Sequence, residues 1–192
     1  ARGAGAGARV LGGGGRQCAR RAARARLAAG GKGWERGAVE VFEEHHFWTQ
    51  LDTLLREAMM QLPAATSGPR VLLTTLPGEP HTLGMLLTLA LLRLEGAACI
   101  WLGAQTPQSQ VLAGARAFGA HIVALSFSEY VDPGSVRRGV SQLRQRLPPD
   151  IELWCGGRSA ARLNRPPAGV AIFSDLDQLA QRLQGRPAAK AD

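Results

Sequence analysis

From Arg70 to the end of the chain, short apolar runs alternate with helical patterns, five times over. "RVLLTT", "AACIWLG", "HIVALSFS", "IELWCGG" and "GVAIFS" are continuous hydrophobic stretches of strand length. Between them lie residues 82–95, "PQSQVLAGARAFG", "DPGSVRRGVSQLRQRL" and a short segment around Ala160–Leu163, and "DLDQLAQRLQG" follows the last strand. Strands apolar on both faces need cover on both faces, and a helix between two strands leaves them parallel. The pattern therefore predicts an α/β chain with a flavodoxin-like, doubly wound, five-stranded parallel sheet. Punctuation agrees: Pro107 opens one helix, Gly119 follows its end, and Asp175 is placed to cap the last. In such folds ligands bind at the carboxyl ends of the strands.

The first third of the chain is different. Residues 1–33 form a Gly/Arg/Ala-rich basic arm, expected to be disordered or loosely helical because it has too few large apolar side chains to bury. From Trp34, Val39, Phe42, Phe47, Leu51, Leu54, Leu55 and Met59 recur near helical spacing and stop before Pro63. This predicts a helical segment over 34–66, ahead of the α/β domain at 67–188.

Charge follows the same division. Residues 1–36 hold nine Lys/Arg and one acid, which accounts for the whole net charge of +8. The remainder carries 14 of each sign, so the folded body has no basic bias toward nucleic acid. Only the arm could bind phosphate, weakly and without sequence preference. No uncharged apolar run is long enough to span a bilayer, no signal peptide stands out, and no membrane role is expected. The chain starts without Met and is expected to be a processed product or a piece of something longer. Cys18, Cys99 and Cys155 have no metal-ligand spacing, and the last two sit in apolar runs. A reducing, cytoplasmic setting fits them.

Chemistry should then lie in "TLPGEPHTLG", residues 75–84, directly after the first strand. Glu79, His81 and Gly84 are spaced E-x-H-x-x-G. An imidazole presented by a loop is a good transition-metal ligand, and a neighbouring carboxylate fixes its tautomer. One His and one Glu cannot cage a metal alone, so the metal must arrive with most of its ligands attached. That points to a macrocycle. His121 opens the third strand as a polar rim residue, and Trp48, Trp101 and Trp154 are expected to pack rather than react.

With "SFS" at 126–128 and Gly156-Gly157, this pattern resembles the cobalamin-binding domain of methionine synthase, corrinoid mutases and certain MerR-class regulators. The family fingerprint is an acid-x-His-x-x-Gly loop, a Ser-x-Leu at the third strand and Gly-Gly after the fourth. The resemblance implies a Rossmann-like domain in which His81 is the lower axial ligand of cobalt, replacing the cofactor's own benzimidazole. It implies that Glu79 orients His81, that Gly84 opens the helix, and that Ser126 contacts the displaced nucleotide tail. Gly156 and Gly157 would make room for that tail, since a buried tail needs side-chain-free walls. One departure is Ser128, where Leu is usual.

A second resemblance lies upstream. Trp34 followed after nine residues by Glu44-His45 is similar to the helical cap of CarH-type light-responsive repressors, which covers the upper face of adenosylcobalamin. There the Trp packs near the adenosyl group and the Glu-His pair flanks it. Here Glu35 stands where those sensors have a His, and the sequence before Trp34 supports only a partial cap.

These resemblances imply a cobalamin-binding sensor: the sensing part of a MerR-family transcriptional regulator, or a stand-alone antirepressor. Adenosylcobalamin is the cofactor expected first, with methyl- or hydroxocobalamin as alternatives. The expected partners are further copies of itself or a DNA-binding regulator. DNA would be reached only through a domain this chain lacks, or weakly through the arm. The alternatives are a corrinoid carrier for methyl transfer and a cofactor-free relative that mediates protein contacts. No Ser/His/Asp or Cys/His set suggests that the chain itself is an enzyme.

Overall fold

A computed structural model describes residues 40–60, 68–163 and 165–186. The chain divides into two compact units, residues 1–51 and 52–192. The first helix, α1 (Val41–Met60), runs across that division. Asp52 and Arg56, one turn apart on α1, pair at 2.6 Å, and the Arg56 guanidinium lies 5.7 Å from the Trp101 ring centroid.

Beyond α1 the predicted alternation is found, element for element. The strands are β1 (Arg70–Thr74), β2 (Ala98–Trp101), β3 (Ile122–Ser126), β4 (Glu152–Gly156) and β5 (Val170–Phe173). The helices are α2 (Leu83–Leu94), α3 (Gln108–Ala117), α4 (Pro133–Arg146), the single turn α5 (Arg158–Ala161) and α6 (Leu176–Gln184). All strand pairs are parallel, in the order β2-β1-β3-β4-β5. β1 is therefore flanked by β2 and β3. The chain leaves β1 toward β2 and leaves β3 toward β4, in opposite directions, and the carboxyl ends of β1 and β3 are where such folds bind ligands.

Alternation along the strands divides the core in two. Leu72, Val123, Leu125, Leu153 and Cys155 face α3 and α4. Val71, Leu73, Ala124, Trp154 and Phe173 face α2 and α6. Period two sends neighbouring residues to opposite faces, so each strand needs apolar side chains throughout.

Helix starts follow local chemistry. Asp175 accepts from the amides of Asp177 and Gln178, both at 2.9 Å, as its position predicted. Asp132 caps α4 by accepting from Ser135 N at 2.8 Å, and Pro133 follows at the first helical position. The Ser135 amide, then its hydroxyl, hold the Asp132 carboxyl below its ordinary range. Pro107 precedes α3, and Gly119 (φ +56°) lies just past its end, as predicted. No described helix is long and apolar enough to cross a membrane.

Candidate functional site

The loop after β1 is closed by its own threonines. Thr75 Oγ1 donates to the Glu79 carbonyl at 2.6 Å and accepts from Gln105 N at 2.8 Å. Thr74 Oγ1 donates to the Gly103 carbonyl at 2.8 Å and lies 2.7 Å from Thr106 Oγ1. The Glu79 amide returns to the Leu76 carbonyl at 3.1 Å, and Gly78 takes the left-handed turn position (φ +90°). These ties hold residues 75–79 against the β2–α3 loop and turn Glu79 inward, where it is 1% exposed.

A buried carboxylate needs donors, and Glu79 has three. Its Oε1 accepts from the His81 amide at 2.9 Å and faces His81 Nδ1 at 2.7 Å. Its Oε2 accepts from the Ser128 amide, on the loop after β3. Ser128 Oγ also lies 3.2 Å from His81 Nδ1. A ring nitrogen against a carboxylate takes the proton, which leaves the lone pair on Nε2. Among the described residues nothing hydrogen-bonds Nε2, and the His81 side chain is half exposed. Tyr130 stacks on the imidazole with ring centroids 5.2 Å apart and planes 30° apart, and is itself 72% exposed.

The arrangement presents one oriented ring nitrogen at the carboxyl end of the sheet. Among the described residues no three His, Cys, Asp or Glu side chains gather to hold a metal ion. A metal at Nε2 would have to carry its remaining ligands with it, and the donor set fits the cobalt of a corrinoid.

The strand ends beside this loop meet the other expectations unevenly. Ser126 and Gly156 are register partners on the face covered by α2 and α6. A Cβ on Gly84 would lie 2.9 Å from Ser126 Oγ, so the first turn of α2 sits directly against that serine. A Cβ on Gly156 would touch only the Phe173 carbonyl, at 3.8 Å, so the surface over Gly156 is open. Gly157 differs. It has φ +93°, and a Cβ there would fall 2.1 Å from the Phe127 carbonyl oxygen. The two glycines were expected to share one role; the geometry gives Gly156 an open wall and Gly157 a tight backbone turn.

Sequence reasoning missed two residues. Ser128 counted only as a departure from Leu, yet its amide and hydroxyl complete the surroundings of Glu79 and His81. Tyr130 was not singled out. The available signal was topological, because the loop after β3 must lie beside the loop after β1 when those strands are neighbours. His121 stands at the opposite end of the sheet, where its Nδ1 accepts from Arg70 N at 3.0 Å. Trp154 is core, and Trp101 lies under Arg56, both in packing roles. Trp34 and the arm lie outside the described residues, as do the side chains of Glu44, His45 and Trp48, whose backbones belong to α1.

Many solved structures have the same fold. One is a cobalamin-binding protein from Desulfitobacterium hafniense DCB-2, 18% identical, with TM-score 0.51 over 88% of this chain and 83% of its own. Another is the monomethylamine corrinoid protein of Methanosarcina barkeri, at 15% identity and TM-score 0.57, covering 83% of this chain and 86% of its own. A third is the methanol:cobalamin methyltransferase complex MtaBC of the same organism, at 14% and 0.51, covering 82% of this chain and 63% of its own. At these identities the likeness is one of fold. No curated protein matches the chain. The family described as "B12 binding domain" matches residues 69–173, more than half of the sequence, and the chain belongs to that family.

Proposed function

We propose that this chain binds a corrinoid, with His81 Nε2 as an axial ligand of cobalt in place of the cofactor's own base. The observation that carries this reading is the 2.7 Å contact from His81 Nδ1 to a carboxylate that is 1% exposed. That contact sets the tautomer and aims the free nitrogen out of the sheet end. Ser128 and the stacked Tyr130 restrict the ring further. Gly84 and Ser126 form one side of the surface beside the histidine, Gly156 leaves it open, and Gly157 makes the turn behind it. A bound corrinoid supplies a cobalt–carbon bond that light can break or a nucleophile can attack; the protein holds the ring and shields one face.

Two outputs fit this chemistry. We favour a sensor, on the resemblance of Trp34, Glu44 and His45 to the cap of light-responsive regulators. In that role adenosylcobalamin is the cofactor and the signal passes through self-association or a DNA-binding partner. The carrier reading draws on the corrinoid and methyltransferase proteins that share the fold. In that role the partner is a methyltransferase subunit.

Absorbance separates them. The purified chain with adenosylcobalamin is expected to give a histidine-ligated spectrum that His81→Ala loses. A shift under green light together with a changed elution volume supports the sensor. Methyl transfer from bound methylcobalamin to a thiol, without a light response, supports the carrier. A wild-type spectrum identical to that of His81→Ala would show that cobalt is not held at residue 81.

A further inference from the structure

We infer that Arg158 and Ser159, at the head of the single turn α5, are positioning residues for His81: they clamp the strap of chain over 127–132, whose other side holds the imidazole. The inference rests on the corrinoid reading and names what keeps the ligand aimed.

The strap presents its residues alternately. Ser128 and Tyr130 turn to the histidine, the first through its amide to Glu79 Oε2 and its hydroxyl beside His81 Nδ1, the second through the ring stack. Glu129 and Val131 turn to α5. Glu129 Oε2 accepts from Arg158 Nη1 at 2.9 Å, and the Val131 carbonyl accepts from Ser159 Oγ. The ends are tied as well: Phe127 N donates to the Gly156 carbonyl at 3.0 Å, and Asp132 caps α4. Ser159 is 0% exposed and takes no part in the site described above. A buried hydroxyl must find a partner, and here the partner lies 28 residues back along the chain.

Gly157 explains how α5 reaches the strap. Its left-handed turn (φ +93°) runs against the Phe127 carbonyl and sends the chain directly into Arg158 and Ser159. Between its tied ends the strap carries Tyr130, which is so exposed that the core does little to order it. Displacing the strap would take the Ser128 amide from Glu79, and both the Ser128 hydroxyl and the stacking partner from His81. The clamp supplies in advance the order that a bound cofactor would otherwise have to impose, which is how preorganisation favours binding. Arg158 and Ser159 act through the strap, since their bonds are to Glu129 and Val131.

The test uses the full chain, labelled in histidine with heavy nitrogen and loaded with cob(II)alamin. EPR lines split in two when a heavy nitrogen sits on cobalt and in three when the cofactor's own ordinary nitrogen does. In the wild type the histidine pattern is expected to dominate. Ser159→Ala is expected to lower the ratio of histidine-ligated to base-ligated cobalt about fivefold, and Arg158→Ala, which breaks only an exposed pair, about twofold. A loss of packing alone would weaken adenosylcobalamin binding with or without the imidazole. The clamp instead predicts that Ser159→Ala leaves the affinity of a His81→Ala chain unchanged. If Ser159→Ala fails to fold, Arg158→Ala decides alone. An unmoved ratio in folded Ser159→Ala, or an equal loss of affinity in the two backgrounds, would overturn the inference and leave His81 ligation standing. A wild type that shows only the base pattern would overturn His81 ligation, and the clamp with it.

Discussion

Glu79 and Glu152 are two carboxylates at opposite ends of the same sheet, and they do opposite things with their charge. Glu79 is buried, and its partners are two backbone amides and one imidazole. Glu152 is 31% exposed in its side chain, and its partners are the Trp154 indole and two arginines. The arginines neutralise Glu152 and leave nothing poised. The imidazole passes the influence of Glu79 outward, because a ring held at one nitrogen presents the other. An open recess of about 500 Å³ lies beside Glu152, with Gln178 and Gln181 on its walls, while the oriented imidazole is at the other end of the sheet.

The contrast can be broken, most severely at the carboxyl end. Gly157→Ala places a methyl group against the Phe127 carbonyl in a conformation that L-residues avoid, and should cost about 4 kcal/mol. Urea unfolding measures it, and a loss near zero would mean that the turn relaxes freely. Next comes Glu79→Ala, which strands the Ser128 and His81 amides in a buried place and should cost about 2–3 kcal/mol. The same variant should weaken the histidine-ligated spectrum even where it stays folded.

Two strands between the ends, β2 and β4, supply a pH test. Burial pushes the Cys99 thiol up to about 12 from an ordinary 9.0, with Arg93 opposing, and burial pushes Cys155 on β4 up further. Both thiols stay protonated in the fold while the unfolded chain ionises them. Stability should therefore be unaffected below pH 9 and fall above it, by about 1.4 kcal/mol per pH unit for each thiol. Urea midpoints at pH 8 and 10.5 check this, and Cys155→Ala should flatten the slope. Neither thiol should react with a labelling reagent at pH 8 until the protein unfolds.

The smallest effect belongs to the exposed ion pairs. Breaking the Arg182 pair with Arg182→Ala should cost about 0.5 kcal/mol and shrink further in 1 M salt. The Glu79→Ala penalty should not change with salt. Equal salt sensitivity at the two ends would erase the distinction between them.

Much of this was legible in the residues. Five apolar runs interrupted by helices admit little besides a covered parallel sheet, and every predicted strand is present. The Asp175 cap needed only neighbours two and three residues away. The Ser128 contact was hidden because 49 residues separate it from Glu79. The functions of Gly156 and Gly157 were merged because a doublet of glycines looks alike on paper, and only the position of the Phe127 carbonyl separates them. Trp154 was rightly assigned to packing, but its contact with Phe173 depends on the register of β4 against β5.

The sequence by itself determined that an acid and an imidazole two residues apart would meet, since a tight loop leaves them within reach whatever surrounds it. It also determined the strand count, because each run is apolar on both faces and needs cover on both. Only the tertiary structure decided what completes the site. The order β2-β1-β3 sets the loop after β3 beside the loop after β1, so a backbone amide from one closes the carboxylate of the other. That contact depends on which strands are neighbours, and neighbourhood in a sheet is settled by packing the whole domain at once.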